Sequence, residues 1–365
     1  MIYQQELLAR ELYADLADRF STQEPSCDVS INGAGVHWHC TVRRQDRSCH
    51  VSTYEPPAPA YWIGFKQGDH YIAGGWTASL DDIQATVRLW IEGSDRATLY
   101  EQFAFVDRNS RAIIALRAAL LQSWPDLASL IRLQPEGYGR DVLLIASASE
   151  RACEVECSGY KDPPNAAFLW DDTKLFQFPV ASADDLGAVL WRWLLDRAMP
   201  SALEREFPWI AVGRLAHYYE TGHGIEGEFI LSWDRLEDRY REAVRKNPSP
   251  EALALLADAL RQAGGDPACL EPRIAPAAVA FLAALRQAGY DSSLRAGVSV
   301  WTCMLSRSRR HGLRADQPEI HFDFHGQSMD VSAWLGDEVK LNDVPIELTP
   351  EIAALLDRLA AHEID

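Results

Sequence analysis

At 365 residues, 47% apolar and 24% charged, the chain has material for two or three cores, which excludes a disordered protein. Its formal net charge of −18 excludes a general nucleic-acid binder, because phosphate recognition needs a cationic field. No apolar run reaches the length of a membrane span, and Met1-Ile2-Tyr3-Gln4-Gln5-Glu6 lacks the basic-then-apolar order of a secretory signal, so no membrane partner is expected. The seven cysteines are odd in number and widely spread, which reads as reduced thiols in the cytoplasm.

Gln5 to Phe20 places Leu7, Leu8, Leu12, Leu16 and Phe20 on one face of a helix. Short β-rich runs follow at Val29 to Asn32, Val36 to Val42, Cys49 to Tyr54, Tyr61 to Phe65 and His70 to Trp76. Ser79 then caps a helix that carries Ile83, Val87, Trp90 and Ile91, and a short helix closes the segment near Phe103. A second unit is expected to open with a long helix from Arg111 to Leu133, broken near Trp124-Pro125. Four strands follow, at Asp141 to Ala146, Ala152 to Cys157, Ala166 to Trp170 and Lys174 to Val180, and then a helix capped by Ser182. His217 to Gly224 reads as a polar aromatic loop. Helices are expected at Leu231 to Arg245, Pro250 to Ala263, Ala275 to Gln287 and Val298 to Leu305. Strands at Glu319 to His325, Met329 to Leu335 and Glu338 to Leu348 precede a last helix opened by Thr349-Pro350.

Two of these stretches repeat. Ser79-Leu80-Asp81-Asp82-Ile83, running on to Trp90-Ile91, returns as Ser182-Ala183-Asp184-Asp185-Leu186, running on to Trp193-Leu194. Upstream, Cys49-His50-Val51 returns as Cys153-Glu154-Val155. A repeat sets the architecture before any single residue does. The expected fold is therefore α+β: duplicated antiparallel sheets flanked by helices in the order α-β-β-β-β-α-α, at residues 1–108 and 109–212, with a helical and mixed region at 213–365. Ser79, Trp90, Ser182 and Trp193 are its structural markers. The C-terminal strands and capped helix are a candidate third copy.

Two groups have metal-capable residue types. His37 and His39 share a strand face, and a turn between Arg44 and Gln45 would set His39 opposite His50 and Cys40 opposite Cys49. Glu319, His321, Asp323 and His325 alternate with apolar residues and share a second face. The competing account is a half-buried strand with its polar side in water. The segment Ser306 to Arg314 is the one basic cluster, and Arg307, Arg309, Arg310 and Arg314 suit either an anion or an internal contact between domains. The phosphate-binding GxxxxGK, the dinucleotide GxGxxG, the GxSxG elbow and the HExxH helix are all missing, and no cofactor is expected.

The Tyr-Trp-Ile-Gly strand, then Ala73-Gly74-Gly75-Trp76-Thr77, the Ser79 helix and Phe103-Ala104-Phe105-Val106 resemble an uncharacterised bacterial family loosely labelled natural-product-biosynthesis proteins. The element order is similar to the type III secretion chaperone-like fold, a scaffold reused in immunity proteins of toxin systems. The resemblance implies a non-enzymatic protein that masks a toxin or effector, so a protein partner is expected and no catalytic residue is carried over. The alternative is a metal-dependent enzyme using one of the two histidine faces.

Overall fold

The computed structural model describes residues 4–23, 27–34, 37–56, 58, 60–135, 142–157, 163–246, 249–262, 267, 271–299, 302–309 and 316–364. The chain divides into two compact units, Met1–Val212 and Gly213–Asp365. Among the described residues there are three antiparallel sheets of five strands, each a meander in which neighbours in sequence pair.

In the first unit, α1 (Gln4–Gln23) leads into β1 (Asp28–Ala34), β2 (His37–Arg44), β3 (Arg47–Thr53), β4 (Tyr61–Gln67) and β5 (His70–Thr77), followed by α2 (Leu80–Ile91) and α3 (Arg96–Gln102). The pattern then repeats. After α4 (Arg108–Ser123) come β6 (Ile131–Pro135), β7 (Val142–Ala148), β8 (Arg151–Glu156), β9 (Asn165–Trp170) and β10 (Thr173–Pro179), then α5 (Ala183–Leu190), which a π-helical turn (Trp191–Leu195) continues as the last turn of that capped helix, and α6 (Pro200–Glu206). The second unit begins with α7 (Arg214–Glu220), α8 (Gly224–Lys246), α9 (Pro250–Gln262) and α10 (Glu271–Gln287). Its strands are β11 (Arg295–Ser299), β12 (Thr302–Ser306), β13 (Glu319–His325), β14 (Ser328–Trp334) and β15 (Glu338–Pro345), and α11 (Pro350–Ala360) ends it. The α+β class with repeated sheet units holds, and helix, five-strand meander, capped helix occurs three times.

Alternation builds each core. In the first copy Cys40, Val42, Cys49, Val51, Ile63 and Phe65 point inward against Leu12 and Leu16 of α1 and Ile83, Val87 and Trp90 of α2. In the third, Leu305, Ile320, Phe322 and Val331 meet Phe281 of α10 and Leu356 of α11. Each capped helix starts the same way: Ser79 Oγ accepts from Asp82 N (3.1 Å), Ser182 Oγ from Asp185 N (3.0 Å) and Thr349 Oγ1 from Ile352 N (3.3 Å). Trp90 and Trp193 are both buried, with indole N–H groups donating to Ser48 O and Ala152 O on the facing sheets.

Three expectations fail, each for a local reason. The helix from Arg111 breaks at Trp124-Pro125 as expected, with Trp124 at φ −131°, ψ 65° because proline forces the residue before it out of helical space, but past one 3-10 turn at Pro125–Leu127 it does not resume to Leu133. Ile131 to Pro135 then pairs with β7, so the second sheet has five strands rather than four. Val298–Ser299 and Thr302–Leu305 are not helical but belong to β11 and β12, with Cys303 and Leu305 buried at the two-residue period of a strand, and residues 300–301 lie outside the described residues. Of the loop expected from His217 to Gly224 only Thr221 to His223 remains, a turn with the positive-φ Gly222, since His217 to Glu220 belong to α7 and Gly224 opens α8. Among the described residues no helix is long and apolar enough to cross a membrane.

Candidate functional site

The first histidine group lies on the face of the first sheet opposite its core. The turn is Gln45-Asp46, so Arg44 pairs with Arg47, His39 with Ser52 and Thr41 with His50. The register differs by two residues from the expected one, and Cys40 faces Val51 rather than Cys49. An even shift preserves faces. His39 and His50 therefore still share a side, as diagonal neighbours with ring centroids 4.1 Å apart. Burial holds the His39 pKa below the ordinary imidazole value. His37 lies at the exposed start of β2.

The second group is strung along β13. His321 Nε2 lies 3.2 Å from Glu319 Oε2, and the His321 ring packs edge-on to Trp334 at 4.7 Å. Thr302 donates to Asp323, and His325 Nε2 lies 3.3 Å from Asp330 Oδ2. Same-face neighbours on one strand stand about 6.6 Å apart, whereas two ligands on one zinc ion stand about 3.3 Å apart. Among the described residues no three His, Cys, Asp or Glu side chains converge to hold a metal.

The basic segment is tied down within the unit Gly213–Asp365. Arg307 donates to Ala360 O (2.7 Å) and Ser293 O (3.4 Å). Arg309 donates to Glu228 Oε1 (3.0 Å) and Tyr219 Oη (2.9 Å), and Tyr219 donates in turn to the buried Glu228. The bond to Glu228 raises the Arg309 pKa further. Arg310 and Arg314 lie outside the described residues. The six described cysteines are buried thiols; burial pushes Cys40 and Cys303 up to about 12 and Cys49 and Cys153 well above their ordinary value. A thiol held protonated is a poor nucleophile.

Sequence reading missed a set of arginines. Arg47 opens β3 and donates to Trp90 O (2.9 Å) and Ser94 O (2.5 Å), with its guanidinium 4.2 Å from the Trp90 ring. Arg151 opens β8 and donates to Trp193 O (3.2 Å) and Ala198 O (2.7 Å), 4.3 Å from the Trp193 ring. Arg307, just past β12, makes the matching bond to Ala360 O. The three carbonyls lie at one position: Trp90, Trp193 and Ala360 each stand eleven residues after the capping Ser79, Ser182 or Thr349. Each arginine thus sits where the second strand turns into the third and neutralises the negative end of the capped helix. Two arginines in the second and third strand regions, 104 residues apart, were the available signal.

The Ala73-Gly74-Gly75-Trp76 motif also has a structural cause. Val106 bridges to Gly75, where a Cβ would collide with the Phe105 carbonyl. Asp107 follows in left-handed backbone (φ 47°), accepts from Gly74 N at Oδ1 (2.8 Å) and binds Arg96 (2.8 Å) and Tyr100 (2.5 Å) at Oδ2. Burial and the bond to Asp107 push Tyr100 up to about 12. No protein-family model matches this chain, and neither does any curated protein or solved structure.

Proposed function

We propose that the protein acts by stoichiometric binding, as an immunity or chaperone-like protein that masks a toxin or effector in the cytoplasm. The observation that carries this reading is a thrice-repeated sheet-and-helix scaffold in a chain of net charge −18. Repetition multiplies surface without requiring a unique reactive centre. The charge favours fast capture of a basic partner, since complementary fields steer encounter. Arg307 and Arg309, the residues best suited to grip an anion, serve helix-end and ion-pair roles within their own unit.

The test titrates this protein into a fixed amount of the adjacent gene's product and follows loss of that product's activity. Inhibition should reach its end point at one equivalent, and association should slow as salt rises, because charge is screened over roughly 10 Å at 0.1 M. Single substitutions of His37, His39, His50, His321 or His325 should leave inhibition intact. Substrate turnover at substoichiometric protein, or loss of function from one histidine change, favours the metal-dependent enzyme instead.

A further inference from the structure

The three copies treat the space between their leading and capped helices differently. In the second copy α4 and α5 pack directly. Trp124, at the end of α4, lies against Gly187, where a Cβ would collide with the indole, and its ring is tilted by 44° against that of Trp191 with centroids 6.0 Å apart. In the third copy the buried Tyr290, just past α10, reaches α11 and donates to Asp357 Oδ1 (2.8 Å). Both spaces are occupied by an aromatic side chain.

The first copy leaves it open. Its helices are bridged by Gln84 Nε2 donating to Asp15 Oδ2 (2.7 Å), and beyond that bridge lies a groove of about 470 Å³. Phe20 and Ala85 give it apolar walls, while Arg19, Arg88, Asp81 and Glu92 supply charge. None of these four charged groups pairs with another described residue. Arg88 occupies the position, nine residues after the capping serine, that Trp191 fills in the second copy.

We propose that this groove binds a zwitterionic peptide of about three residues, with its carboxylate on Arg19 and Arg88 and its ammonium at Asp81. Two guanidiniums suit the paired oxygens of a carboxylate. Seven residues of α2 separate Asp81 from Arg88, or about 10 Å at helical rise, which matches an extended tripeptide. A side chain of the peptide rests on Phe20 and Ala85. Polyanions are turned away by Asp81, Glu92 and the negative charge of the chain. The volume falls within the range of small-ligand pockets.

Calorimetry and saturation-transfer NMR with Ala-Leu-Ala on the full chain test this. The free tripeptide should bind with Kd of about 1 mM. Its N-acetylated and C-amidated forms should each bind at least about tenfold more weakly. Arg19→Gln with Arg88→Gln should abolish binding. Arg88→Trp, which copies the second repeat, should abolish it while leaving the melting temperature equal or higher. Equal binding of the capped peptides, unchanged binding in the folded variants, or no binding up to about 10 mM overturns the proposal.

Discussion

The first two copies and the third share a frame but not a filling. In all three an arginine at the turn from second to third strand reaches the carbonyl eleven residues after the helix cap. In the first two that residue is a buried tryptophan, and the arginine lies over its ring. In the third it is Ala360, and Arg307 holds backbone carbonyls alone. The buried stripe is rotated as well: Ile83, Val87 and Trp90 match Leu186, Leu190 and Trp193, whereas Ile352, Leu356 and Leu359 fall one residue earlier. Helix-end electrostatics therefore persists where side-chain packing has drifted. A carbonyl is available whatever residue bears it, but an indole needs a cavity shaped to it.

That difference predicts unequal losses. Trp193→Ala and Trp90→Ala should each cost about 3–5 kcal/mol by leaving a large cavity, read as a fall in the urea midpoint. A loss under about 1 kcal/mol would break the equivalence of the two tryptophans. Arg151→Met should cost about 2–3 kcal/mol, because it strips the donor from the buried Trp193 carbonyl and the partly buried Ala198 carbonyl and removes the ring contact. Arg307→Met should cost less, about 1–2 kcal/mol, since no ring is involved. Equal losses at Arg151 and Arg307 would show that the ring contact contributes nothing. Ser79→Ala, Ser182→Ala and Thr349→Ala should each cost about 1 kcal/mol.

The smallest expected effect depends on pH. His39 is held below its ordinary pKa by burial, so the folded state binds fewer protons than the unfolded chain as pH falls through about 6.5. Stability should drop on that side, and His39→Gln should flatten the drop between about pH 7.5 and about pH 5.5 in urea titrations. An unchanged slope would place His39 in water.

The repeat was legible because Ser79 and Ser182 keep both their cap chemistry and the apolar spacing behind it. The third copy was harder to read. Thr349 announced its helix, but the β11–β12 hairpin has no signal of its own beyond Ala296, Cys303 and Leu305, and short apolar runs fit helix and strand alike. The His39–His50 contact was legible as a shared face, while the exact register depended on a turn at Gln45-Asp46 that adopts positive φ without glycine. Arg47 and Arg151 were legible only as a spacing of 104 residues, because a helix-end contact made from another element leaves no local pattern. The open groove by α2 was invisible for the same reason: it shows only when Arg88 is set beside Trp191.

Hydrogen–deuterium exchange on Arg47→Met, Arg151→Met and Arg307→Met tests the shared frame most directly. Each substitution should speed exchange in the last turn of its own capped helix, at Trp90, Trp193 or Ala360, and leave the other two helices at their original rates. Uniform acceleration across the chain, or no change at Ala360 in Arg307→Met, would contradict a clamp common to the three copies.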